Sequence, residues 1–258
     1  MIRARLVAVT VWVAMALHGV AAAQSAPHPW EGAQALVKAI EADVKTSGVK
    51  GIGAHVTEME AALAEARTLP ADGVVDGDTR YVLIDGPAQS MGALVKSAAV
   101  PTGSGVSYTR TIETPYPIVG FYLGSYYNEV GRFEDALKAL DTALSIDGVD
   151  PPGEFRPVLV AERGAALTGL KRWPESLSNY EDGLKLRDVP DRYRARLQRG
   201  RGFALVELDR LEEGQAAYEE SLRLEPGNSV ATRELQYIAR VKAGGQRTGT
   251  QLTLPGQQ

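Results

Sequence analysis

Apolar residues recur at helical spacing through most of this chain. Trp30, Ala33, Leu36, Val37, Ile40 and Val44 fall on one helical face, and the pattern stops near Ser47-Gly48. Val56, Met59, Leu63 and Ala66 repeat it before Pro70. Together they predict an N-terminal helical hairpin over 24–70, entered through a short Pro-containing linker at 24–29. Residues 71–116 lack a dominant period. Tyr81-Val82-Leu83-Ile84 fits a short strand or a helical turn, 91–99 reads as helix, and 106–113 alternates weakly like a strand. Pro101, Pro115 and Pro117 punctuate this stretch, which is read as a mixed connector.

From Pro117 the chain repeats itself. The first unit carries Leu123-Gly124, Tyr127, Gly131, Phe133, Ala136 and Leu140. The second carries Arg163-Gly164, Leu167, Leu170, Trp173, Ser176 and Tyr180, and the third Arg201-Gly202, Leu205, Leu208, Leu211, Gly214 and Tyr218. Within each unit glycine to small residue is 12 positions and small to large residue is 4; between units the glycines lie 40 and 38 apart. The physical expectation is a stack of helix pairs. Gly124, Gly164 and Gly202 let each first helix approach its partner, with Ala136, Ser176 and Gly214 facing them. The large positions fill the space between helices. Pro174 suits a first helical turn. Asn228 or Ser229 can cap a last helix, predicted to cover the stack with Arg233, Glu234, Arg240 and Lys242 on its outside.

These residues resemble the tetratricopeptide repeat family, whose unit is about 34 residues long. The extra residues fall around Asp150-Pro151-Pro152-Gly153 and Arg187-Asp188-Val189-Pro190, which are loop compositions. The large aromatic common early in that family's first helix is replaced by Gly120, Val160 and Gln198. The fold class expected is thus all-α: a helical-hairpin solenoid over 117–242, preceded by the hairpin and connector and followed by a disordered Gly, Gln and Thr-rich tail over 243–258.

Residues 1–23 stand apart. Arg3 and Arg5 precede the apolar run 6–17, followed by Gly19 and the small residues Ala21-Ala22-Ala23. This is the pattern of a cleavable export signal, with the cut expected after Ala23, and the run is short for a membrane anchor. Removing two of the 28 basic residues leaves 26 against 32 acidic, a net charge of -6 for the mature chain. With 0 cysteines the chain has no disulfide, thiolate ligand or cysteine nucleophile, which suits disulfide-free folding in a periplasm or outside the cell.

Candidate chemistry is sparse. Among the 3 histidines, His18 leaves with the signal, His28 lies in the linker and His55 stands at a helix start without an obvious partner. Gly51-Ile52-Gly53 lacks the third glycine of a dinucleotide fingerprint. Asp72, Asp76, Asp78 and Asp85 do not have calcium-loop spacing and read as a solvated acidic loop. No catalytic residue, metal or cofactor is expected. The alternative to a non-catalytic protein is a cell-envelope enzyme with its activity in 71–116 and the repeats as a docking arm.

Arginine is concentrated in the third unit. Arg192, Arg196, Arg199 and Phe203 fall on one helical face. The family resemblance implies that first helices line a concave groove. On this register that means Ile118, Phe121, Ser125 and Asn128, then Val158, Ala161, Ala165 and Thr168, then Arg196, Arg199, Phe203 and Val206. The expected peptide-binding residues are Phe121, Ser125, Asn128, Arg196, Arg199 and Phe203, holding a protein or peptide segment with an acidic group near the arginines. Pairing of those arginines with Glu175, Glu181 and Asp182 is the competing arrangement. The carboxylate clamp of some family members is matched only at Asn128 and is not carried over. Nucleic acid is not an expected partner, since no aromatic ladder accompanies the arginines. Homo-oligomerisation through Phe121, Tyr122 and Tyr126 is a further alternative.

Overall fold

The computed structural model describes residues 28–86, 105–146 and 153–247. Helix α1 (Pro29–Ser47) has proline in its first turn and ends where Gly48, at φ +59°, donates its N–H to the Val44 carbonyl. The expected hairpin is interrupted by the short α2 (Val49–Gly53) before α3 (Val56–Ala66). Trp30, Ile40, Ile52, Met59 and Leu63 are buried along these helices.

The connector folds as a small sheet. Strands β1 (Val74–Asp76) and β2 (Thr79–Ile84) pair antiparallel, and β3 (Tyr108–Glu113) lies parallel to β2, from Thr79 opposite Tyr108 to Ile84 opposite Glu113. The helix expected over 91–99 lies outside the described residues. Of the expected linker ahead of α1 only His28 is among the described residues, and it stacks on Trp30, with ring centroids 4.4 Å apart, while Tyr81 of β2 closes the cluster. Asp85 departs from the expected solvated loop. It is buried, and its carboxylate accepts the Phe155 N–H just ahead of the second unit.

The repeat region contains α4 (Tyr116–Glu129), α5 (Phe133–Ile146), α6 (Arg156–Gly169), α7 (Trp173–Leu184), α8 (Asp191–Glu207), α9 (Leu211–Leu224) and α10 (Ser229–Lys242). Asn228 caps α10, its side chain accepting the N–H groups of Val230 and Ala231. Arg233, Arg240 and Lys242 are exposed as expected, whereas Glu234 is half-buried. Among the described residues no helix is long and apolar enough to cross a membrane.

Glycine and small residue face each other at Gly202 and Gly214, where a Cβ on either would lie 3.2 Å from the other's carbonyl oxygen, and the large residue crowds the same glycine. A Cβ on Gly124 would come within 2.5 Å of Leu140, and one on Gly202 within 2.9 Å of the Tyr218 ring. The Tyr180 ring occupies the same place at Gly164. The glycines therefore make room for the large side chain of the second helix. The small residues abut first-helix backbone: Ser176 Oγ donates to the Gly164 carbonyl at 3.2 Å.

The α1–α3 segment sits where a preceding unit would. Helix α3 packs on α4 and α5, and α1 touches α4. Phe121, Tyr122 and Tyr126 are half-buried against the core these helices share. Tyr126 lies on Gly53, and Glu41 of α1 acts on the Tyr122 hydroxyl, whose pKa burial chiefly raises. The aromatic face suggested for homotypic association is thus partly covered within the chain.

Candidate functional site

The three repeat turns are built alike. Gly131, Lys171 and Asp209 occupy the same place seven residues after the unit glycine, and all three are left-handed, at φ +76°, +57° and +65°. One residue on, Arg132, Arg172 and Arg210 donate their backbone N–H to Tyr127, Leu167 and Leu205. Each arginine side chain then binds the acid three positions later, Asp135, Glu175 and Glu213, across the first turn of the second helix. Glu175 is therefore committed to Arg172.

First helices α4, α6 and α8 contact one another in order, while second helices α5, α7 and α9 make no comparable contact. A stack closer on one side than the other curves, so the first helices line its inner face. The fold is tetratricopeptide-like. No protein-family model and no curated protein matches the chain. Among solved structures it is similar to the first TPR domain of human RPAP3, at 27% identity and TM-score 0.44 over 50% of this chain and 94% of that domain. It is similar to the same degree, 27% and 0.44, to the first TPR of Spaghetti (RPAP3) bound to the HSP90 peptide SRMEEVD, over 51% of this chain and 97% of that one.

The inner face of this tetratricopeptide-like stack is cross-braced. Glu162 of α6 is buried and binds in both directions. Its carboxylate accepts Arg196 Nη2 of α8 at 2.6 Å and Asn128 Nδ2 of α4 at 3.0 Å; Asn128 also donates to the Glu162 carbonyl at 3.0 Å. Burial works against the charge on Arg196, and Glu162 more than offsets it, leaving the guanidinium pKa above its usual value. One carboxylate thus joins three first helices.

Arg199 is held differently. Its Nη1 donates to Ser221 Oγ of α9 at 3.2 Å and to Glu225, which caps the C-terminus of that helix, at 2.5 Å. The Arg199 hydrogen bond holds the Glu225 carboxyl below its usual pKa. Of the competing partners only Glu181 is used, by Arg201 at 3.4 Å, while Asp182 pairs with Lys185. The strongest arginine ties thus run to Glu162 and Glu225, neither of which spacing alone brought forward.

The other expected site residues are distributed unevenly. Phe121 is half-buried and packed on the core, and the Ser125 hydroxyl is enclosed with no hydrogen-bond partner among the described residues. Phe203 meets the Trp173 ring edge-on at 6.0 Å. Five positions implied by the family register are closed off. Asn128, expected to bind the segment, is buried and spent on Glu162. Val158 and Ala161 are buried, Thr168 bonds Ser176 at 2.8 Å, and Val206 fills the space beside Gly214. The structure keeps Ile118, Ala165, Arg196, Arg199 and Phe203 as half-exposed positions on this face.

Elsewhere the polar groups serve the fold. His55 has a partner after all, Asp43 of α1 at 2.8 Å. Tyr127 donates to Glu60, and burial followed by that bond pushes its hydroxyl up to about 12. A cleft of about 500 Å³ between α5, α6 and α7 lies apart from the six expected residues. In its wall Arg163 is engaged by Asp141 at 2.6 Å and Asn179 at 3.1 Å.

Proposed function

We propose that this chain is an exported, non-catalytic scaffold that holds a protein or peptide segment along its first-helix face. The observation that carries the reading is the cross-brace from Asn128 through Glu162 to Arg196, which fixes three first helices as one surface. A preorganised surface binds without ordering itself first, which is how a repeat stack gains affinity. The charge of Arg196 is balanced by a buried carboxylate, so an acidic group on the partner has Arg199 as its contact. Glu225, at 42% side-chain exposure, is the counter-ion it displaces.

Neutralising that contact tests the reading. Arg199→Gln keeps a donor for Ser221 and removes the charge, and is expected to weaken partner capture from the envelope fraction roughly tenfold. An unchanged partner list and affinity would contradict it. Export is tested separately. Chain recovered from cells should begin at Gln24 by mass spectrometry of its N-terminal peptide, and an intact Met1 on the folded protein would refute cleavage.

A further inference from the structure

The small sheet ends on a strand with an open side. Its order is β1-β2-β3, so among the described residues β3 has β2 as its one neighbour. At the two ends of that ladder Tyr108 and Thr114 donate their N–H groups to the Asp78 and Ile84 carbonyls. Bonding direction alternates along a strand, so Arg110 and Ile112 also turn their backbone groups towards β2. The N–H and C=O groups of Thr109, Thr111 and Glu113 therefore point outward. Their one hydrogen bond among the described residues lies at the far end, where Gln34 Nε2 of α1 reaches the Glu113 carbonyl at 3.4 Å.

Such a row of unpaired main-chain groups is a template for another strand unless the edge is short, bulged or broken by proline. The opposite edge, β1, has only 3 residues. Strand β3 has 6, in unbroken register and without proline, and its Tyr, Thr and Ile residues favour an extended chain. Tyr108, at 62% exposure, and Arg110, Thr111 and Glu113 are all exposed, so the edge is accessible. Its cation, Arg110, decides what can lie beside it.

An antiparallel copy of the same strand meets that condition. Outward residues must pair with outward residues, which restricts where a two-fold axis can fall. Centred on Arg110, the pairing sets two guanidinium groups directly opposite each other, and like charges there are destabilising. Centred on Ile112, it leaves Thr109 without a partner inside β3. Centred on Thr111, it uses all three outward residues. Thr109 then pairs with Glu113 of the second copy, Thr111 with its own equivalent, and Arg110 lies opposite Ile112. The Glu113 carbonyl has two lone pairs, so Gln34 can keep its bond.

We propose that β3 is the interface for a second copy of this chain, paired antiparallel about a two-fold axis at Thr111 so that the two three-stranded sheets become one. About six main-chain hydrogen bonds form across the axis. The inference stands apart from the scaffold reading and uses no residue of the first-helix face.

With 0 cysteines in the chain, single introduced cysteines report the register. Thr111→Cys should oxidise to a covalent dimer, because its equivalent Cα atoms lie about 5.5 Å apart in this register, within disulfide reach. Arg110→Cys and Ile112→Cys should each stay largely monomeric alone and cross-link when mixed. In sedimentation equilibrium the unsubstituted chain should dimerise with a Kd below about 0.1 mM. Thr111→Pro removes an outward N–H and none that β2 uses. It should keep the far-UV circular dichroism of the parent and weaken dimerisation at least about tenfold. Equal cross-linking of all three single variants, or none from Thr111→Cys, would overturn the register. A chain still monomeric at about 0.5 mM, or a dimer untouched by Thr111→Pro, would overturn the interface. So would Thr111→Cys joining a different envelope protein and never its own copy.

Discussion

Replacing Glu162 with alanine is expected to destabilise the repeat stack by roughly 2–3 kcal/mol, the largest effect of any charge removal in this chain. Breaking a buried ion pair by deleting one partner typically costs about 3–5 kcal/mol. Arg196 keeps part of its hydration, at 39% side-chain exposure, which lowers the figure. Asn128 also loses a carboxylate acceptor while enclosed, keeping only the Glu162 carbonyl. In a chain of this size that corresponds to a fall in Tm of roughly 4–12 °C. Glu162→Gln keeps the volume and one acceptor and should cost less. Thermal unfolding followed by far-UV circular dichroism checks both. A change in Tm below about 1 °C for the alanine variant would mean that the brace between α4, α6 and α8 contributes nothing.

Gly164→Leu should be at least as damaging, by overpacking. Added methylenes in a filled core cost typically 1–3 kcal/mol, about that range being spent on off-rotamer side chains and backbone shifts. Here the obstacle is the buried Tyr180 ring, and Tyr180 has no retreat because Gly200 of α8 presses on the same ring from the next unit. The expected cost is therefore at the upper end, roughly 3 kcal/mol, or about 6–12 °C in Tm. Gly164→Ala should already show part of it. Wild-type stability of the leucine variant would refute the placement of Tyr180 between two glycines.

The repeat architecture was readable because its cause is local and recurs. Gly164 and Tyr180 lie within one helix pair, so their spacing of 12 and then 4 positions through Ser176 returns in every unit. The small residue does face the glycine, as Gly202 with Gly214 and Gly164 with Ser176 show, but spacing alone does not say that the large residue of the second helix crowds the same glycine. Arg132, Arg172 and Arg210, each with an acid three residues on, are a regular signal of the same kind that went unused.

The brace was less accessible. Asn128, Glu162 and Arg196 occupy non-equivalent positions of their units, lying 34 apart where the unit glycines lie 40 and 38 apart. Only the offset between successive hairpins brings them together. Strand-like segments at 81–84 and 106–113 were legible and overlap β2 and β3, but their pairing was hidden for a related reason. Strand β2 pairs in parallel with β3 across a long connection, and such pairing leaves no hairpin turn to read. His28 likewise acquires its role from Tyr81, far along the chain.

The central claim is that a partner segment lies on the inner, first-helix face. A photo-reactive phenylalanine placed singly at Ala165, half-buried on α6, or at Ser178, exposed on α7, reads this directly. Illumination in the envelope should join a discrete partner band to the chain substituted at Ala165 and none to the chain substituted at Ser178. A partner captured from Ser178 and not from Ala165 would contradict it.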